Sequence, residues 1–289
     1  MPVVVETIAG LRSQLRQAKA HAASEGPARP RVALVPTMGA LHEGHMALVE
    51  RAQERAEIVV VSIFVNPLQF GASEDLDRYP RTVESDVERL RAHGVQLVFA
   101  PTLSEVYPAG DLPTKVTAGD IGDLYEGRSR RGHFDGVLTV VAKLLHIVNP
   151  DTVVFGKKDA QQVFLVKRMI ADLNFDVQVA TVPTVREDDG LALSSRNRFL
   201  DARERIAARA LPRALEAAES SADRGPDAVL AAAQSVLTGD TAVQLDYLQV
   251  VNPATFLPVD DNHHGPALVL VAARVGDTRL IDNATIHLG

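Results

Sequence analysis

The chain has 289 residues, 46% of them hydrophobic, which is typical of a globular protein of one large domain or two. Its 30 basic and 37 acidic residues give a formal charge of −7, which argues against a nucleic-acid partner because a polyanion requires a basic face. The absence of cysteine excludes disulfides, thiolate metal sites and a cysteine nucleophile. No apolar run approaches the roughly 20 residues of a membrane span and the N-terminus lacks a signal-peptide pattern, so we expect a cytoplasmic protein without membrane contact.

The first part of the chain alternates helical and strand patterns. Apolar residues at helical spacing between Ile8 and Ala18 predict a helix, and a strand at 32–36 precedes a helix from about residue 40 to 56. The alternation continues through IVVVSIFVN (strand), a helix with Thr82 as its N-cap, VQLVFAP (strand), GVLTVVAKLLHIV (helix), TVVFG (strand), DAQQVFLVKRMIADLN (helix) and VQVATVPTV (strand). We therefore predict an α/β fold with a Rossmann-like, doubly wound parallel sheet in a domain of residues 1–184.

The pattern changes after residue 184. Two Ala-rich helical stretches come first, followed by the strand-like runs VQLDYLQVV, ALVLVAARV and TRLIDNATI. Residues 185–289 are therefore predicted to form a second, smaller α+β domain of helices on an antiparallel sheet.

The stretch PTMGALHEGHMALVE places two histidines just after the strand RVALVP, where a helix begins. The zinc motif on helices spaces its histidines by four, whereas His42 and His45 are three apart, so metal binding is disfavoured. One buried and one solvated histidine is the plain alternative. The position at the carboxyl end of a strand and the presence of Gly44, which lets a ligand approach the backbone, instead favour an anion site at the helix N-terminus.

Three further segments contain polar residues suited to a position at the same edge of the sheet or to binding phosphate. FVNPLQF follows a strand and offers Asn66 and Gln69, and FGKKDAQQ follows another and opens a helix with Lys157 and Lys158. Cations at a helix N-terminus oppose the helix dipole, a conflict that an anionic ligand would remove. LSSRNRFL adds hydroxyls and guanidinium groups, although such residues also form ordinary turns and caps.

Other motifs are weak or missing. Asp86 and Glu88 in YPRTVESDVERL are more typical of a solvated helix face than of a magnesium site. Neither the dinucleotide fingerprint GxGxxG nor the Walker motif GxxxxGK[ST] is found where it could explain the anion site. A different nucleotide-binding device is required.

These motifs taken together resemble the pantoate–β-alanine ligases of the histidine-glycine-histidine nucleotidyltransferase superfamily. The ordered set is PTMGALHEGH, FVNPLQF, YPRT, HFDGVLTVV, KKDAQQ and LSSRNRFL, spanning about residues 30 to 200. The resemblance implies ATP-dependent joining of pantoate to β-alanine through a pantoyl adenylate, with release of pyrophosphate and AMP. It also implies Mg²⁺ and a homodimer. Because the adenylate must be shielded from water, we expect the smaller C-terminal domain to cover the active site.

The resemblance also implies roles for individual residues. His42 and His45 would act on the phosphates, with His45 as the candidate proton donor, and the other catalytic residues would be Lys158, Ser194, Ser195 and Arg196. Gln69 and Gln162, with Asn66, would hold pantoate, and Asp86 would be the carboxylate associated with magnesium. The remaining ATP-binding residues would be Met38, Gly39, Ala40, Leu41, Glu43, Gly44, Gly156, Lys157, Asp159, Val185 and Leu193.

Two residues of this chain depart from the family pattern, and two other functions remain open. Lys157 stands where the family usually has glutamate, and Ala160 where it usually has an aromatic residue. The alternatives are another adenylyl transferase of the superfamily, which would lack the glutamines for pantoate, and a nucleotide-sensing module without turnover. An aminoacyl-tRNA synthetase is disfavoured because the chain is short and acidic.

Overall fold

The computed structural model describes residues 2–71, 76, 79–108, 110, 112 and 114–289. The chain divides into two compact units, each with its own sheet. The first comprises Met1–Lys157 and Leu165–Pro183, and the second comprises Lys158–Phe164 and Thr184–Gly289.

The first unit contains a six-stranded sheet in the order β1-β4-β3-β2-β5-β6, and every neighbouring pair is parallel. Its strands are β1 (Val3–Val5), β2 (Val32–Thr37), β3 (Ile58–Ile63), β4 (Leu97–Phe99), β5 (Thr152–Gly156) and β6 (Gln178–Val182). The chain builds outward in one direction from β2 to β3 and β4, and in the other to β5 and β6. This reversal places a switch point between β2 and β5, where open α/β sheets bind ligands, and confirms the predicted doubly wound sheet.

Helices accompany these strands. They are α1 (Ile8–Glu25), α2 (Glu43–Gln53), α3 (Val83–Ala92), α4 (Leu103–Val106), α5 (Glu126–Ser129), α6 (His133–Val148) and α7 (Ala160–Asp172), the last of which passes from the second unit into the first. Fully buried β-branched residues of β2 and β3 pack with the apolar face of α2, which includes Met46 and Val49.

Two details differ from the sequence-based expectation. The helix expected from about residue 40 begins at Glu43, because Gly39 and Ala40 have φ angles of +87° and +51°, which a right-handed helix does not contain. The strand β1 was not predicted. Its three residues at the sheet edge are too few to show a periodic pattern.

The second unit contains the antiparallel sheet β7-β8-β9, as predicted. Its strands are β7 (Val243–Val251), β8 (Gly265–Val275) and β9 (Thr278–Leu288), and its helices are α8 (Ala202–Ala208), α9 (Ala210–Glu219) and α10 (Pro226–Thr238). Alternate residues of β8 and β9 pack with the alanine-rich faces of these helices in a separate core.

Within the described ranges, none of the helices combines the length and the apolar character required to cross a bilayer.

Candidate active site

The two histidines of the motif cap the N-terminus of α2. His42 is the N-cap residue, and its Nδ1 accepts a hydrogen bond from the backbone nitrogen of Gly44 at 3.2 Å. His45 is the third helical residue, and its Nδ1 accepts from the backbone nitrogen of His42 at 3.2 Å. The two rings lie 4.1 Å apart between centroids. Since both Nδ1 atoms accept main-chain N–H groups, each neutral imidazole carries its proton on Nε2.

The loop before α2 is held by the carboxylate of Asp86 on α3. Asp86 Oδ2 accepts from the backbone nitrogen of Ala40 at 2.9 Å, and Oδ1 accepts from that of Leu41 at 2.8 Å. The hydroxyl of Thr82, the N-cap residue of α3, donates to Asp86 Oδ2 at 3.1 Å and makes no capping hydrogen bond. These contacts fix the left-handed turn at Gly39 and Ala40 that leads into the histidines.

Asp86 is only 3% exposed, so its interpretation as part of a solvated helix face was wrong. Three hydrogen bonds compensate for burying the carboxylate. Glu88, on the same helix, is exposed, as expected, and it pairs with Arg91. A signal was present in the sequence, since Asp86 shares the helical spacing of the apolar residues Val83 and Leu90.

The turn that follows β3 carries Asn66 and Gln69 in a buried amide network. Asn66, 1% exposed, accepts from the hydroxyl of Tyr107 at 2.8 Å through Oδ1, and its Nδ2 donates to Gln69 Oε1 at 3.2 Å. Gln69 Nε2 in turn donates to the sulfur of Met38 at 2.8 Å. Burial raises the pKa of Tyr107 above its ordinary value, so the phenol stays a donor. The donor and acceptor directions of both amides are thereby set.

The same turn lies directly against α6 at Gly136. The carbonyl of Gly136 accepts from Asn66 Nδ2 at 3.0 Å, and a Cβ atom at Gly136 would lie 2.2 Å from the carbonyl oxygen of Leu68. Only glycine permits this approach. His133 Nδ1 donates to the carbonyl of Gln69 at 2.8 Å, and Arg130 donates to the same oxygen at 3.3 Å.

The lysine segment spans the division between the units. Gly156 ends β5, and the backbone nitrogen of the exposed Lys157 donates to Val182 O at 2.8 Å within the first unit. Lys158, Asp159 and Gln162 belong to the second unit. Lys158 is half-buried, and its carbonyl accepts a hydrogen bond from Asn283 Nδ2 at 2.8 Å.

Val185 and Leu193 are brought together in the second unit. The backbone nitrogen of Leu193 donates to Val185 O at 2.9 Å, closing a hairpin whose turn contains Gly190 at φ +86°. The 3₁₀ segment Ser195–Phe199 follows directly, with Ser194 as its N-cap accepting from the nitrogen of Arg196 at 3.2 Å.

An ion cluster supports this hairpin. Arg205 donates to Glu187 at 2.6 Å and to Asp189 at 2.8 Å. The hydrogen bonds from Arg205 hold the pKa of each carboxyl below its ordinary value, and Asn197 lowers that of Glu187 further. Asn197 also donates to Ala192 O at 3.1 Å, which ties the 3₁₀ segment to the hairpin.

Apart from the lysine segment, the residues named from the sequence are linked by hydrogen bonds in two groups. Met38 to His45, Asn66, Gln69 and Asp86 are linked in the first unit, whereas Val185 and Leu193 to Arg196 are linked in the second. Sequence reasoning missed the supporting residues Tyr107, Arg130, His133, Gly136, Glu187, Asn197, Arg205 and Asn283. HFDG was recognised only as part of a motif.

The part of the chain that the structure describes contains no group of three or more histidine, aspartate or glutamate side chains able to hold a metal ion. Asp86 uses both carboxylate oxygens in hydrogen bonds to the loop and to Thr82. Its predicted association with magnesium stays a prediction.

Comparisons with known proteins agree along the whole chain. The pantoate-β-alanine ligase family model matches residues 3–285. The pantothenate synthetase of Leifsonia xyli is 58% identical over 278 residues, covering 96% of each chain. The crystal structure of pantothenate synthetase from Thermus thermophilus has a TM-score of 0.89 at 46% identity, covering 98% of this chain and 99% of that one.

A third comparison includes ligands. The structure of pantoate-β-alanine ligase from Francisella tularensis, complexed with β-γ ATP and β-alanine, has a TM-score of 0.80 at 31% identity and covers 98% of this chain and 97% of that one. These matches decide between the ligase and the alternatives considered from the sequence. The chain belongs to the pantoate–β-alanine ligase family.

Proposed function

We propose that the chain condenses pantoate with β-alanine in two steps, by way of an enzyme-bound pantoyl adenylate. As a member of its family the chain is an ATP-dependent pantoate–β-alanine ligase. A carboxylate resists attack by an amine because an oxide would have to leave, whereas an adenylate offers AMP as the leaving group.

Each step exchanges one bond for another. First, a carboxylate oxygen of pantoate bonds to the α-phosphorus of ATP while the bond from that phosphorus to pyrophosphate breaks. Second, the amine of β-alanine bonds to the acyl carbon and loses a proton, while the bond from that carbon to AMP breaks. The first step depends on positioning and on neutralising charge at the phosphates more than on covalent help from the protein.

The arrangement of His42 and His45 is the observation that carries this proposal. Their Nδ1 atoms accept main-chain N–H groups, so Nε2 is the donor atom of each neutral ring. Two imidazole donors beside the N-terminus of α2 suit a phosphate, because the helix end adds its own partial positive charge. His45, the candidate proton donor, would donate from Nε2 to a phosphate oxygen as negative charge builds on it. Met38 to Leu41, with Glu43 and Gly44, would line the same ATP site.

Residues of the second unit would also bind ATP. Lys158 would place its ammonium group on the phosphates, where charge builds during transfer. Ser194, Ser195 and Arg196 would contribute hydroxyl and guanidinium donors to the triphosphate. Val185 and Leu193, joined by a backbone hydrogen bond, would contact adenine. The remaining ATP contacts would be Gly156, Lys157 and Asp159.

Pantoate would be held by Gln69 and Gln162. Asn66 directs the oxygen of the Gln69 amide toward itself, which leaves the Gln69 NH₂ group as the donor side. A donor of this kind suits the carboxylate and hydroxyl oxygens of pantoate. Asn66 would thus act by orienting Gln69.

Mg²⁺ would enter with ATP as part of the substrate. Magnesium is usually held by one or two carboxylates together with substrate phosphates, so it requires no protein cage. This suits a chain whose described residues form no cluster of metal ligands. Asp86, with its oxygens committed to the loop, would act chiefly by positioning that loop.

The homodimer and the cytoplasmic location are also part of the proposal. Both rest on the resemblance to the ligase family, and the location also suits an enzyme that consumes ATP. Sedimentation equilibrium of the purified chain would give its oligomeric state directly.

Product analysis with each substrate omitted in turn tests the proposed function. We expect AMP and pyrophosphate to form in equal amounts, together with pantothenate, only when ATP, pantoate and β-alanine are all present in multiple-turnover reactions. Stoichiometric ADP and phosphate would contradict the adenylate route.

A further inference from the structure

The strand β9 contacts both segments of the second unit that are proposed to bind ATP. Asn283 lies on this strand, and its Nδ2 donates to the carbonyl of Lys158 at 2.8 Å across 125 positions of sequence. Its neighbour Asp282 binds Arg186, which lies in the hairpin that closes at Val185 and Leu193.

Asp282 anchors this part of the strand firmly. Its side chain, 1% exposed, accepts from Arg186 at 2.6 Å and 3.1 Å, so the pair is bidentate. Its Oδ1 also accepts from the backbone nitrogen of Asn283 at 2.8 Å. Asp282 occupies a core-facing position in a row with Leu280 and Ile286, where an apolar residue would be expected. An ion pair therefore replaces apolar packing at this point of the strand.

Asn283 points to the opposite face of the sheet because successive strand residues alternate. On that face its Nδ2 donates to the main chain of Lys158, the residue at which the chain passes from the first unit to the second. Phe164, at the other end of this short segment, packs on the buried ring of Phe256 with centroids 5.0 Å apart. The segment is thus fixed to the second unit at both ends.

We infer that Asn283 is a positioning residue for the ligation reaction, which acts by holding the carbonyl of Lys158 and so setting the place from which the Lys158 side chain reaches the phosphates. The inference rests on the proposed role of Lys158. A lysine side chain is flexible, but it reaches only a limited distance from its own main chain. The position of the main chain therefore determines the region in which the ammonium group can act. Misplacement of a catalytic group by about 1 Å can cost about a hundredfold in rate.

The test compares Asn283→Ala and Asn283→Asp with Thr285→Ala, an exposed residue on the same face of β9. Both Asn283 variants remove the donor, and aspartate keeps the shape. We expect kcat to fall about tenfold to a hundredfold in both. The KM for β-alanine should stay close to that of the wild type, and the unfolding midpoint should fall only slightly, as expected for the loss of one hydrogen bond. Thr285→Ala should behave as the wild type.

A double-mutant cycle with Lys158→Ala separates positioning from general support. The hydrogen bond to the Lys158 carbonyl persists when the side chain is removed, so adding Asn283→Ala to Lys158→Ala should change kcat by less than about twofold. Equal losses in both backgrounds, or activity of Asn283→Ala equal to that of Thr285→Ala, would overturn the inference. Wild-type protein that forms no AMP would overturn the proposed function and this inference with it.

Discussion

The carboxylate of Asp86 holds the backbone nitrogen of Ala40 at 2.9 Å, and Ala40 has a φ of +51°. A residue with a side chain rarely adopts this left-handed conformation, so the surrounding contacts must stabilise it. The turn directs the chain into α2 with its two histidines. Asp86 therefore links α3 to the proposed phosphate site.

The first prediction concerns Asp86→Asn. The amide presents one NH₂ group to a pair of backbone donors, so one of them loses its acceptor at a cost of about 1–3 kcal/mol. We expect lower kcat/KM for ATP with no change in the Mg²⁺ concentration that gives half-maximal rate. Glu88→Gln, on the exposed face of the same helix, is the matched control. A raised Mg²⁺ requirement in Asp86→Asn alone would instead identify Asp86 as a magnesium ligand.

A second prediction concerns Gly136→Ala. The added methyl group meets the backbone at Leu68 and Gln69, so the turn must shift at a cost of about 1–3 kcal/mol. We expect a lower unfolding midpoint and a raised KM for pantoate, with less change in the KM for ATP. Gly239→Ala, whose φ of −69° accepts a side chain, is the control for the substitution itself. Unchanged pantoate kinetics in Gly136→Ala would argue against the role of Gln69.

A third prediction distinguishes the adjacent lysines. Lys158→Ala should lower kcat by about 10² to 10³, as expected for loss of one preorganised charged donor. Lys167→Ala, an exposed lysine of α7, should leave the rate unchanged. The measurement is kcat at saturating substrates, with the circular dichroism spectrum as the check on folding. Normal turnover of Lys158→Ala together with a large loss in Lys157→Ala would transfer the role to Lys157.

The fourth prediction is a pH dependence of stability. The pKa values of Glu187 and Asp189 lie below their ordinary values because Arg205 binds both carboxylates. Their contribution to stability is complete above the unfolded-state values, near 4.5 and 3.8, and is lost as the pH falls through the lower folded-state values. Arg205→Gln should destabilise the protein by about 1–3 kcal/mol at neutral pH.

Urea unfolding of wild type and Arg205→Gln between neutral and acidic pH measures this effect. The difference in the free energy of unfolding should shrink below about pH 4, where the carboxylates become protonated. Arg203→Gln, an exposed neighbour in α8, serves as the control. A difference that stays constant into acid would show that Arg205 stabilises by packing alone.

The parallel sheet was predictable because its strands are continuous apolar runs separated by helices of amphipathic pattern. The short strand β1 was not, since Val3–Val5 pairs with β4 only through tertiary contact. The start of α2 was misplaced because the left-handed turn at Ala40 depends on Asp86, which is 46 residues away. Local propensity contains no information about such a contact.

The candidate site likewise combines residues that the sequence predicts with residues that depend on tertiary contacts. His42, His45, Gln69 and Lys158 were named from motifs, and some of their partners, such as Asn66 beside Gln69, lie in the same motifs. Other supporting residues are distant in sequence. Tyr107 and Asn283 act through hydrogen bonds that only the folded chain reveals. Polar residues within apolar rows, such as Asp86 on α3 and Asp282 on β9, were the signals available from the sequence alone.

The adenylate route is tested most directly by labelling the carboxylate of pantoate with oxygen-18 and analysing the products by mass spectrometry. If a carboxylate oxygen bonds to the α-phosphorus, the bond that later breaks lies between that oxygen and the acyl carbon. We therefore predict one oxygen-18 atom in each AMP and none in pyrophosphate. AMP without the label, or label in inorganic phosphate accompanied by ADP, would contradict the account.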